Sequence, residues 1–318
     1  MEQAWILAGA TATGKTAVAQ RLAERHGYSI LSADALLVYR DMDIGTAKPV
    51  PAERGRVPYF GIDLVTPADT FSTGRWLADA ARAFASSSPC AANAAPEHPR
   101  LIVAGGTGLY IKALTDGLES EAADPAVRAR WQALFESGGL AALQQAITER
   151  APDALATLSD TSNPRRLMRA LEHLEAHGAL PRQWKSDAPS NAPIVVLHLP
   201  REQLHARIER RVSTMFSQGL VDEVRALRQT YPVWSPTAAQ AIGYAEVCAL
   251  LDGALTAREA TERIIVRTRQ LAKRQETWFR HQAHAVWLEI DAKDSPELIA
   301  QRVLETWRQH GPTTVVSP

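Results

Sequence analysis

The sequence predicts an α/β protein in which a parallel sheet is flanked by helices and carries an inserted, all-helical lobe. Three observations support this fold class. Short apolar strands alternate with amphipathic helices, the first strand leads into a glycine-rich loop and a helix, and helical patterns alone fill about 118–189. With 318 residues, of which 46% are hydrophobic, the chain can bury a large core.

The first strand, predicted at 4–9, runs into GATATGKT, which has the spacing of a P-loop. Strand, loop and the following helix at 16–26 form a P-loop NTPase-like arrangement, in which backbone N–H groups and the helix dipole bind phosphate. Lys15 adds a cation, and the Thr16 hydroxyl is placed to bind Mg²⁺. An ordinary glycine-rich turn is the alternative. The predicted phosphate-binding residues are Gly9, Ala10, Thr11, Ala12, Thr13, Gly14, Lys15 and Thr16.

Further strands are predicted at 28–32, 61–65, 101–104, 194–199 and 286–290. Because ligands bind at the carboxyl ends of parallel strands, we expect Asp34 and the turn GGTGLY at 105–110 to lie beside the phosphate-binding loop. Asp34 is a candidate base or metal-ordering carboxylate, with a helix cap as the alternative. Thr107 could bind substrate or close a turn. The two glycines before Thr107 imply a close approach of the backbone to another group.

The chain between 118 and 189 has a different pattern. Helices are predicted at 125–137, 140–150 and 163–177, the last with Asn163 as its cap and Pro164 in its first turn. Because a strand returns at 194, we assign 1–117 and 190–318 to the α/β core and 118–189 to an inserted lobe. A closing helix is predicted at 296–309.

A basic helix is predicted near the end of the core, where 258–282 contains seven basic residues and three acidic ones. Apolar pairs recur every seven residues and form one stripe: Ile264/Ile265, Leu271/Ala272 and Trp278/Phe279. Basic residues flank the stripe in two rows: Arg263, Arg267, Arg274 on one edge and Arg269, Lys273, Arg280 on the other. The pattern fits a solvated amphipathic helix or a nucleic-acid surface, and on composition alone both remain open.

Several classes of protein are disfavoured by composition. The chain has no apolar run long enough for a membrane helix and begins without a basic signal region, so we expect a cytoplasmic protein that does not contact membranes. The two cysteines, Cys90 and Cys248, have no metal-ligand spacing and are assigned no chemistry. The segment 86–99 is predicted to be a surface loop.

The motifs, taken in order, resemble those of the tRNA dimethylallyltransferase family. The resemblance extends from the P-loop to Arg280 and rests on GATATGKT, SADALLVYRDMDIGTAKP, GGTGLYIKAL, RRLMRALE, LHARIERR, QAIGYAE and RTRQLAKRQETWFR. MDIGTAKP and RQLAKRQ are far more specific than the P-loop, which many unrelated nucleotide enzymes share.

The resemblance implies transfer of a dimethylallyl group from dimethylallyl diphosphate to N6 of an adenine next to the anticodon, in tRNAs that read codons beginning with U. It implies catalytic roles for Asp34, Thr107 and Arg211. Asp34 accepts the proton of the amine, and Lys15, Arg211 and a Mg²⁺ ion held through Thr16 neutralise the leaving diphosphate. The implied partners are dimethylallyl diphosphate and the tRNA anticodon stem-loop, no ATP is consumed, and we expect a monomer.

The adenine must leave the anticodon stack to reach Asp34, and contacts with tRNA phosphates must offset that cost. The resemblance implies tRNA contacts for the matching positions, which are Asp34, Ala35, Leu36, Leu37, Thr107, Arg128, Arg165, Arg166, Leu167, Met168, Arg169, Gln240, Ala241, Ile242, Gly243, Tyr244, Ala245, Lys273, Arg274, Gln275, Glu276, Thr277, Trp278, Phe279 and Arg280. With this resemblance, the nucleic-acid interpretation of the basic helix is favoured.

The sequence departs from the family pattern at five positions. Ala10 and Thr13 replace a common Pro and Ser, which leaves the phosphate site intact. Ala35 replaces a common Ser and loses a hydroxyl, and Gln240 and Ala245 stand where many relatives have a basic residue. The last three departures weaken the expectation of side-chain contacts with RNA at those positions.

Other functions remain open on the sequence alone. A small-molecule kinase would transfer phosphate from ATP with Asp34 as its base and would need no tRNA. A non-catalytic, nucleotide-gated RNA-binding module would keep its function when Asp34 is replaced. A relative that prenylates free adenine nucleotides is disfavoured, because the helical lobe and the basic helix would then have no polyanion to bind.

Overall fold

The computed structural model describes residues 2–87, 99–117, 124–158, 160–180 and 193–316. Most of the predicted loop at 86–99, including Cys90, lies outside these residues. The chain divides into two compact units, a core formed by 1–117 with 188–318 and a lobe formed by 118–187. None of the helices in the described ranges combines the length and apolar character that a membrane span requires.

The core contains a seven-stranded sheet with the order β3-β2-β4-β1-β5-β6, in which β7 pairs with β1 from off this path. All neighbouring pairs are parallel except β1 with β7. The strands are β1 (Glu2–Gly9), β2 (Ser29–Ala33), β3 (Tyr59–Phe60), β4 (Leu101–Gly105), β5 (Ile194–His198), β6 (Ala285–Glu289) and β7 (Thr313–Val315). The predicted fold class, a parallel sheet flanked by helices, is confirmed.

The helices in the described residues are numbered in chain order. They are α1 (Lys15–His26), α2 (Pro51–Arg54), α3 (Thr73–Ser87), α4 (Gly108–Asp116), α5 (Pro125–Arg150), α6 (Ala154–Thr157), α7 (Pro164–His177), α8 (Arg201–Ser217), α9 (Leu220–Thr230), α10 (Pro236–Ala239), α11 (Tyr244–Leu251), α12 (Ala257–Gln282) and α13 (Pro296–His310). Helices α5, α6 and α7 belong to the lobe, and the predicted basic helix is α12.

Strand β1 is buried on both faces of the sheet. Successive side chains along a strand point to opposite sides of the sheet. Trp5 and Leu7 join one hydrophobic cluster, in which Trp5 stacks on Trp307 of α13 at 5.2 Å between ring centroids. Ile6 belongs to the other cluster together with Phe279 of α12. Helices therefore cover both faces of the sheet, and the strand ends are left to form the site.

One predicted strand is wrong. The chain pairs with β2 at Tyr59–Phe60 rather than at 61–65. Gly61 and Asp63 both adopt positive φ angles, 73° and 54°, which interrupt an extended strand. The strands β2, β4, β5 and β6 lie within one residue of their predicted bounds.

The segment 34–49, which contains MDIGTAKP, is fixed by a carboxylate on α9. Glu223 accepts hydrogen bonds from the backbone N–H groups of Asp43, Ile44 and Gly45 at 3.1, 2.7 and 3.3 Å. The hydroxyl of Tyr244 donates to the same carboxylate at 2.6 Å, and its buried ring packs against Gly45. A cluster of backbone donors is thus satisfied by one side chain, which orders the segment.

A buried lysine fixes the same segment from its other end. Lys48 Nζ donates to the carbonyl oxygen of Tyr39 at 2.6 Å and forms ion pairs with Asp43 and Asp63 at 2.6 and 2.7 Å. Because a buried ammonium needs its charge and its donors satisfied, this arrangement restrains the segment strongly. The MDIGTAKP string contributes Asp43 and Lys48 to this support.

The lobe has its own hydrophobic core, formed by Trp131, Leu143, Ile147, Leu167 and Leu171. The two helices predicted at 125–137 and 140–150 join as α5, with a kink at Gly139, whose φ angle is 64°. The predicted cap of α7 is confirmed, since the Asn163 side chain accepts a hydrogen bond from the Arg165 N–H and Pro164 begins the helix.

Candidate active site

The phosphate-binding loop connects β1 to α1 in the predicted manner. Its backbone turns through positive φ angles at Ala12 and Gly14, 66° and 91°, so that Gly14 caps the start of α1. The Thr13 hydroxyl is buried and donates to the carbonyl oxygen of Ala10 at 2.9 Å, which closes the turn. Successive N–H groups in such a turn at a helix N-terminus form an anion-binding concavity.

Lys15 lies at the electrostatic centre of the site. Its Nζ donates to the Ala10 carbonyl oxygen at 2.6 Å. Burial lowers the pKa of Lys15 to about 8; the carboxylate of Asp34 opposes this effect, and Arg211 contributes a smaller lowering. Lys15, Asp34 and Arg211 line one cavity. Thr16, beside Lys15, is exposed and can bind a ligand.

A cavity of about 480 Å³ contains these groups. Its polar part is lined by the phosphate-binding loop, Asp34 and the Gly105–Gly106 backbone, and three arginines line it from α8: Arg207, Arg210 and Arg211. Its apolar lining comes from Ile30, Leu37, Ile44, Pro49, Tyr59 and Met215. An anionic group attached to a short apolar chain matches both parts of this cavity.

Arg211 is fixed by the segment 34–49, since its Nη2 donates to the Thr46 carbonyl oxygen at 3.0 Å. Burial lowers the pKa of Arg211, and the charge of Asp34 opposes this shift. Arg207 donates to the Ala292 carbonyl oxygen at 3.0 Å and lies beside Gly14. Arg207 and Arg210 are not among the predicted site residues. Their signal is the spacing, because positions three and four apart share one helix face.

Asp34 and Thr107 lie on adjoining turns at the ends of β2 and β4. The Leu36 N–H donates to Asp34 Oδ1 at 2.9 Å, which orients the carboxylate. The Thr107 hydroxyl oxygen accepts a hydrogen bond from the Ala35 N–H at 3.0 Å, and the Thr107 N–H donates to the Ala33 carbonyl oxygen at 2.9 Å. Thr107 therefore closes the turn and supports the Asp34 segment, while its hydroxyl hydrogen can still be donated to a substrate.

The turn at 105–108 is packed so tightly that its glycines have no room for a side chain. A Cβ at Gly105 would overlap the backbone of Ala33, one at Gly106 would overlap the amide of Gln275, and one at Gly108 would overlap the Trp278 ring. The predicted close approach thus involves β2 and helix α12, and it brings α12 into the site.

Gln275 is one of the predicted tRNA-binding residues, and its partly buried side chain lies between two loops. Its Oε1 accepts a hydrogen bond from the Thr11 N–H at 2.8 Å, and its Nε2 donates to the Gly106 carbonyl oxygen at 3.0 Å. The neighbouring Glu276 carboxylate lies 3.3 Å from His198 Nδ1. Gln275 therefore bridges the phosphate-binding loop and the Gly105–Gly108 turn.

Five predicted tRNA-binding residues have buried side chains. Leu37, Leu167, Ala241, Tyr244 and Phe279 are at most 8% exposed. All but Leu37 pack in hydrophobic clusters, and Leu37 lines the cavity. Direct contact of the four packed side chains with RNA would require unpacking the core, so their positions favour support of neighbouring residues. The predicted positions with exposed side chains are Arg128, Arg165, Arg166, Gln240, Lys273, Arg274, Thr277 and Arg280.

The remaining predicted positions in this group are intermediate in exposure. They are Asp34, Ala35, Leu36, Thr107, Met168, Arg169, Ile242, Ala245, Gln275, Glu276 and Trp278. Gly243 is buried, and its N–H donates to Glu246 at 2.8 Å. The string 240–245 is therefore largely a structural support of the core, with Gln240 as its exposed member.

Several of the predicted cations are neutralised within the protein. On α12, Arg267 pairs with Glu246 and Arg269 pairs with Glu209. In the lobe, Arg128 and Arg169 both pair with the buried Glu172, at 2.8 and 3.2 Å. These ion pairs reduce the charge available to a polyanion. The exposed cations Lys273 and Arg274 are the stronger candidates for RNA contacts.

Comparison with known proteins identifies the family of this chain. A family model described as IPP transferase matches residues 37–282, and one described as isopentenyl transferase matches residues 2–57. This chain belongs to the IPP transferase family. The tRNA dimethylallyltransferase of Thermus thermophilus is 42% identical over 89% of this chain and 91% of its own length. The tRNA dimethylallyltransferase of Kineococcus radiotolerans is 39% identical over 93% of this chain and 94% of its own.

Solved structures of similar proteins share the fold of this family member. The full-length tRNA isopentenylpyrophosphate transferase from Bacillus halodurans is 31% identical, with a TM-score of 0.67 and 98% coverage of both chains. A eukaryotic dimethylallyltransferase acting on tRNA gives a TM-score of 0.74 at 21% identity, covering 98% of this chain and 77% of the other. The second likeness concerns the fold alone.

The lowered pKa of Lys15 predicts that binding of an alkyl diphosphate depends on pH. Below pH 8 the ammonium is charged and attracts the anion, whereas above pH 8 it must take up a proton on binding. We expect the affinity, measured by calorimetry, to approach about a tenfold loss per pH unit above that value. The Lys15→Gln variant should bind more weakly and show no such slope. The same slope in that variant would assign the titration to another group.

Proposed function

We propose that this protein transfers a dimethylallyl group from dimethylallyl diphosphate to N6 of an adenine next to the anticodon of tRNA. The observation that supports this most is the shared cavity, in which an anion-binding loop, the carboxylate of Asp34 and an arginine row converge. The family relationship supports it independently, because relatives at 42% and 39% identity are tRNA dimethylallyltransferases.

The diphosphate of the donor binds to the loop at 9–16. Backbone N–H groups and the start of α1 attract its oxygens, and Lys15 contributes a charged hydrogen-bond donor. Arg207 and Arg211 approach the same part of the cavity from α8. The five-carbon chain of the donor then packs against the apolar lining, which includes Leu37 and Met215.

Asp34 serves as the base of the transfer. The N6 nitrogen forms a bond to the first carbon of the dimethylallyl group while the bond from that carbon to the diphosphate oxygen breaks. The diphosphate leaves with the electron pair, and the proton released by the amine moves to the Asp34 carboxylate. An aromatic amine is a weak nucleophile, so a positioned acceptor for its proton accelerates the step. The Leu36 N–H, which donates to Oδ1, keeps the carboxylate oriented.

Charge builds up on the diphosphate as it leaves, and Lys15 and Arg211 stabilise that charge. The same cavity fits a Mg²⁺ ion held by the Thr16 hydroxyl. Among the described residues, no three or more His, Cys, Asp or Glu side chains form a metal cluster. A single hydroxyl ligand such as that of Thr16 suits Mg²⁺, which binds through few protein ligands together with phosphates and water. When bound, the ion would add further neutralisation of the diphosphate charge.

RNA binding relies on exposed cations. On α12, Lys273, Arg274 and Arg280 are exposed, and Arg280 lies over the Trp287 ring at 5.7 Å. In the lobe, Arg165 is exposed at the start of α7. Cations of this kind bind phosphates and offset the free energy needed to extrude the adenine from its stack. The substrate tRNAs are those that read codons beginning with U. The protein acts as a cytoplasmic monomer.

The role of Asp34 is tested by Asp34→Asn, which keeps the shape of the side chain and removes the base. We expect prenyl transfer to fall at least about 100-fold while tRNA affinity stays within about tenfold, because the base acts in the transition state. Transfer is measured as the mass gain of one five-carbon unit on an anticodon stem-loop. Asp41→Asn, in the same segment, is the matched control. Unchanged transfer in Asp34→Asn would remove Asp34 from the mechanism, and ATP-dependent phosphoryl transfer by the parent would favour a kinase.

The role of α12 is tested by Lys273→Ala and Arg274→Ala. Each should weaken tRNA binding and lower the dependence of log affinity on log salt concentration by about one, because each removes one phosphate contact. Arg258→Ala is the control, since Arg258 is exposed on the same helix and pairs with Glu262. Titrations at several salt concentrations measure the slope. Parent-like slopes in both variants would show that this part of α12 does not contact RNA.

A further inference from the structure

We propose that Gln275 is a positioning residue that couples RNA binding on α12 to diphosphate binding in the loop at 9–16. This inference rests on the proposed function, because it assumes that the two ligands bind at these two places. It deepens that function by assigning the connection between the two sites to one side-chain amide.

The Gln275 amide makes two hydrogen bonds to the loops of the site. Its oxygen accepts the Thr11 N–H at 2.8 Å, and its nitrogen donates to the Gly106 carbonyl oxygen at 3.0 Å. Thr11 belongs to the phosphate-binding loop, and Gly106 directly precedes Thr107. Both polar ends of one side chain are thus satisfied by the two loops that form the site, and no other side chain type of this length offers a donor and an acceptor together.

The Gly105–Gly108 turn is shaped around α12. A Cβ at Gly106 would overlap Gln275 Nε2, and a Cβ at Gly108 would overlap the Trp278 ring. Gln275 and Trp278 are three positions apart and therefore lie on the same face of the helix. The helix is seated on the turn at two points, so a movement of α12 along or about its axis cannot leave the turn undisturbed.

The same turn supports the segment that carries Asp34. Thr107, next to Gly106, accepts the Ala35 N–H at 3.0 Å, and Ala35 directly follows Asp34. One arm of the Gln275 amide therefore restrains the anion-binding loop, and the other restrains the turn that supports the base. Both halves of the reaction site depend on the position of the same residue.

The residues just before Gln275 differ from it in exposure. Lys273 and Arg274 are exposed, whereas Gln275 is turned inward. RNA that binds these cations restricts the motion of α12, and through Gln275 it restricts the phosphate-binding loop. Part of the ordering cost of diphosphate binding is then already met, so the two ligands favour each other's binding.

The test measures the affinity for inorganic diphosphate with Mg²⁺, in the absence and presence of a saturating, unmodified anticodon stem-loop. No transfer occurs with this probe, so the ratio of the two affinities reports the coupling alone. In the parent protein we expect RNA to raise diphosphate affinity by about tenfold. In Gln275→Met, which keeps the size of the side chain and removes both hydrogen bonds, we expect the ratio to fall to about one.

A second variant approaches the same contact from its partner. Gly106→Ala places a methyl group against Gln275 Nε2 and should also reduce the ratio to about one. Gln301→Met is the control, because Gln301 is exposed on α13. It should keep the parent ratio. The affinity of Gln275→Met for RNA alone is measured as well, so that a change in RNA binding is separated from a change in the ratio.

The outcomes separate this inference from the proposed function. The inference would be overturned by a parent-like ratio in both Gln275→Met and Gly106→Ala, or by a ratio of one in the parent protein. Either result would leave the proposed function standing. Failure of the unsubstituted protein to bind diphosphate or to prenylate RNA would contradict the proposed function and the inference together. If Gln275→Met unfolds, as judged by thermal denaturation, Gly106→Ala decides the question.

Discussion

The site depends on a steric constraint at the end of β4, where the chain turns into α4 without side chains. Because Gly105, Gly106 and Gly108 present only hydrogen where other residues present a Cβ, the end of β2 and one face of α12 can contact the turn. Asp34 follows β2, and the phosphate-binding loop contacts α12 through Gln275. A single methyl group in this turn would separate elements that are far apart in sequence. The three elements of the site are therefore held together by close packing rather than by any one strong bond.

Charge in this protein is balanced overall and concentrated locally. The chain has 35 basic and 35 acidic residues, yet the cavity brings Lys15 and three arginines of α8 around a single carboxylate, Asp34. Burial of Lys15 and Arg211 costs solvation free energy and lowers the pKa of both groups. An anionic ligand would relieve that cost. Arg267, by contrast, is neutralised by the carboxylate of Glu246.

Features set by local sequence were predicted well, and features set by tertiary contacts were not. The phosphate-binding loop, the Asn163 cap and the extent of α12 follow from spacing and periodicity over a few turns of chain. The inward position of Gln275 could not be read from α12, because it depends on a glycine 169 residues earlier in the chain. The strand predicted at 61–65 is wrong for a similar reason. The positive φ of Asp63, a residue type that tolerates this conformation, interrupts it, and the sequence pattern did not indicate that.

The central claim is that diphosphate and adenine meet in one cavity between the phosphate-binding loop and Asp34. A crystal structure of the protein with an anticodon stem-loop, Mg²⁺ and an unreactive thio analogue of dimethylallyl diphosphate tests it most directly. We predict electron density for the diphosphate on the N–H groups of the loop at 9–16, with the adenine N6 within hydrogen-bond distance of an Asp34 carboxylate oxygen. Diphosphate bound elsewhere, or an adenine that stays stacked away from Asp34, would contradict the account.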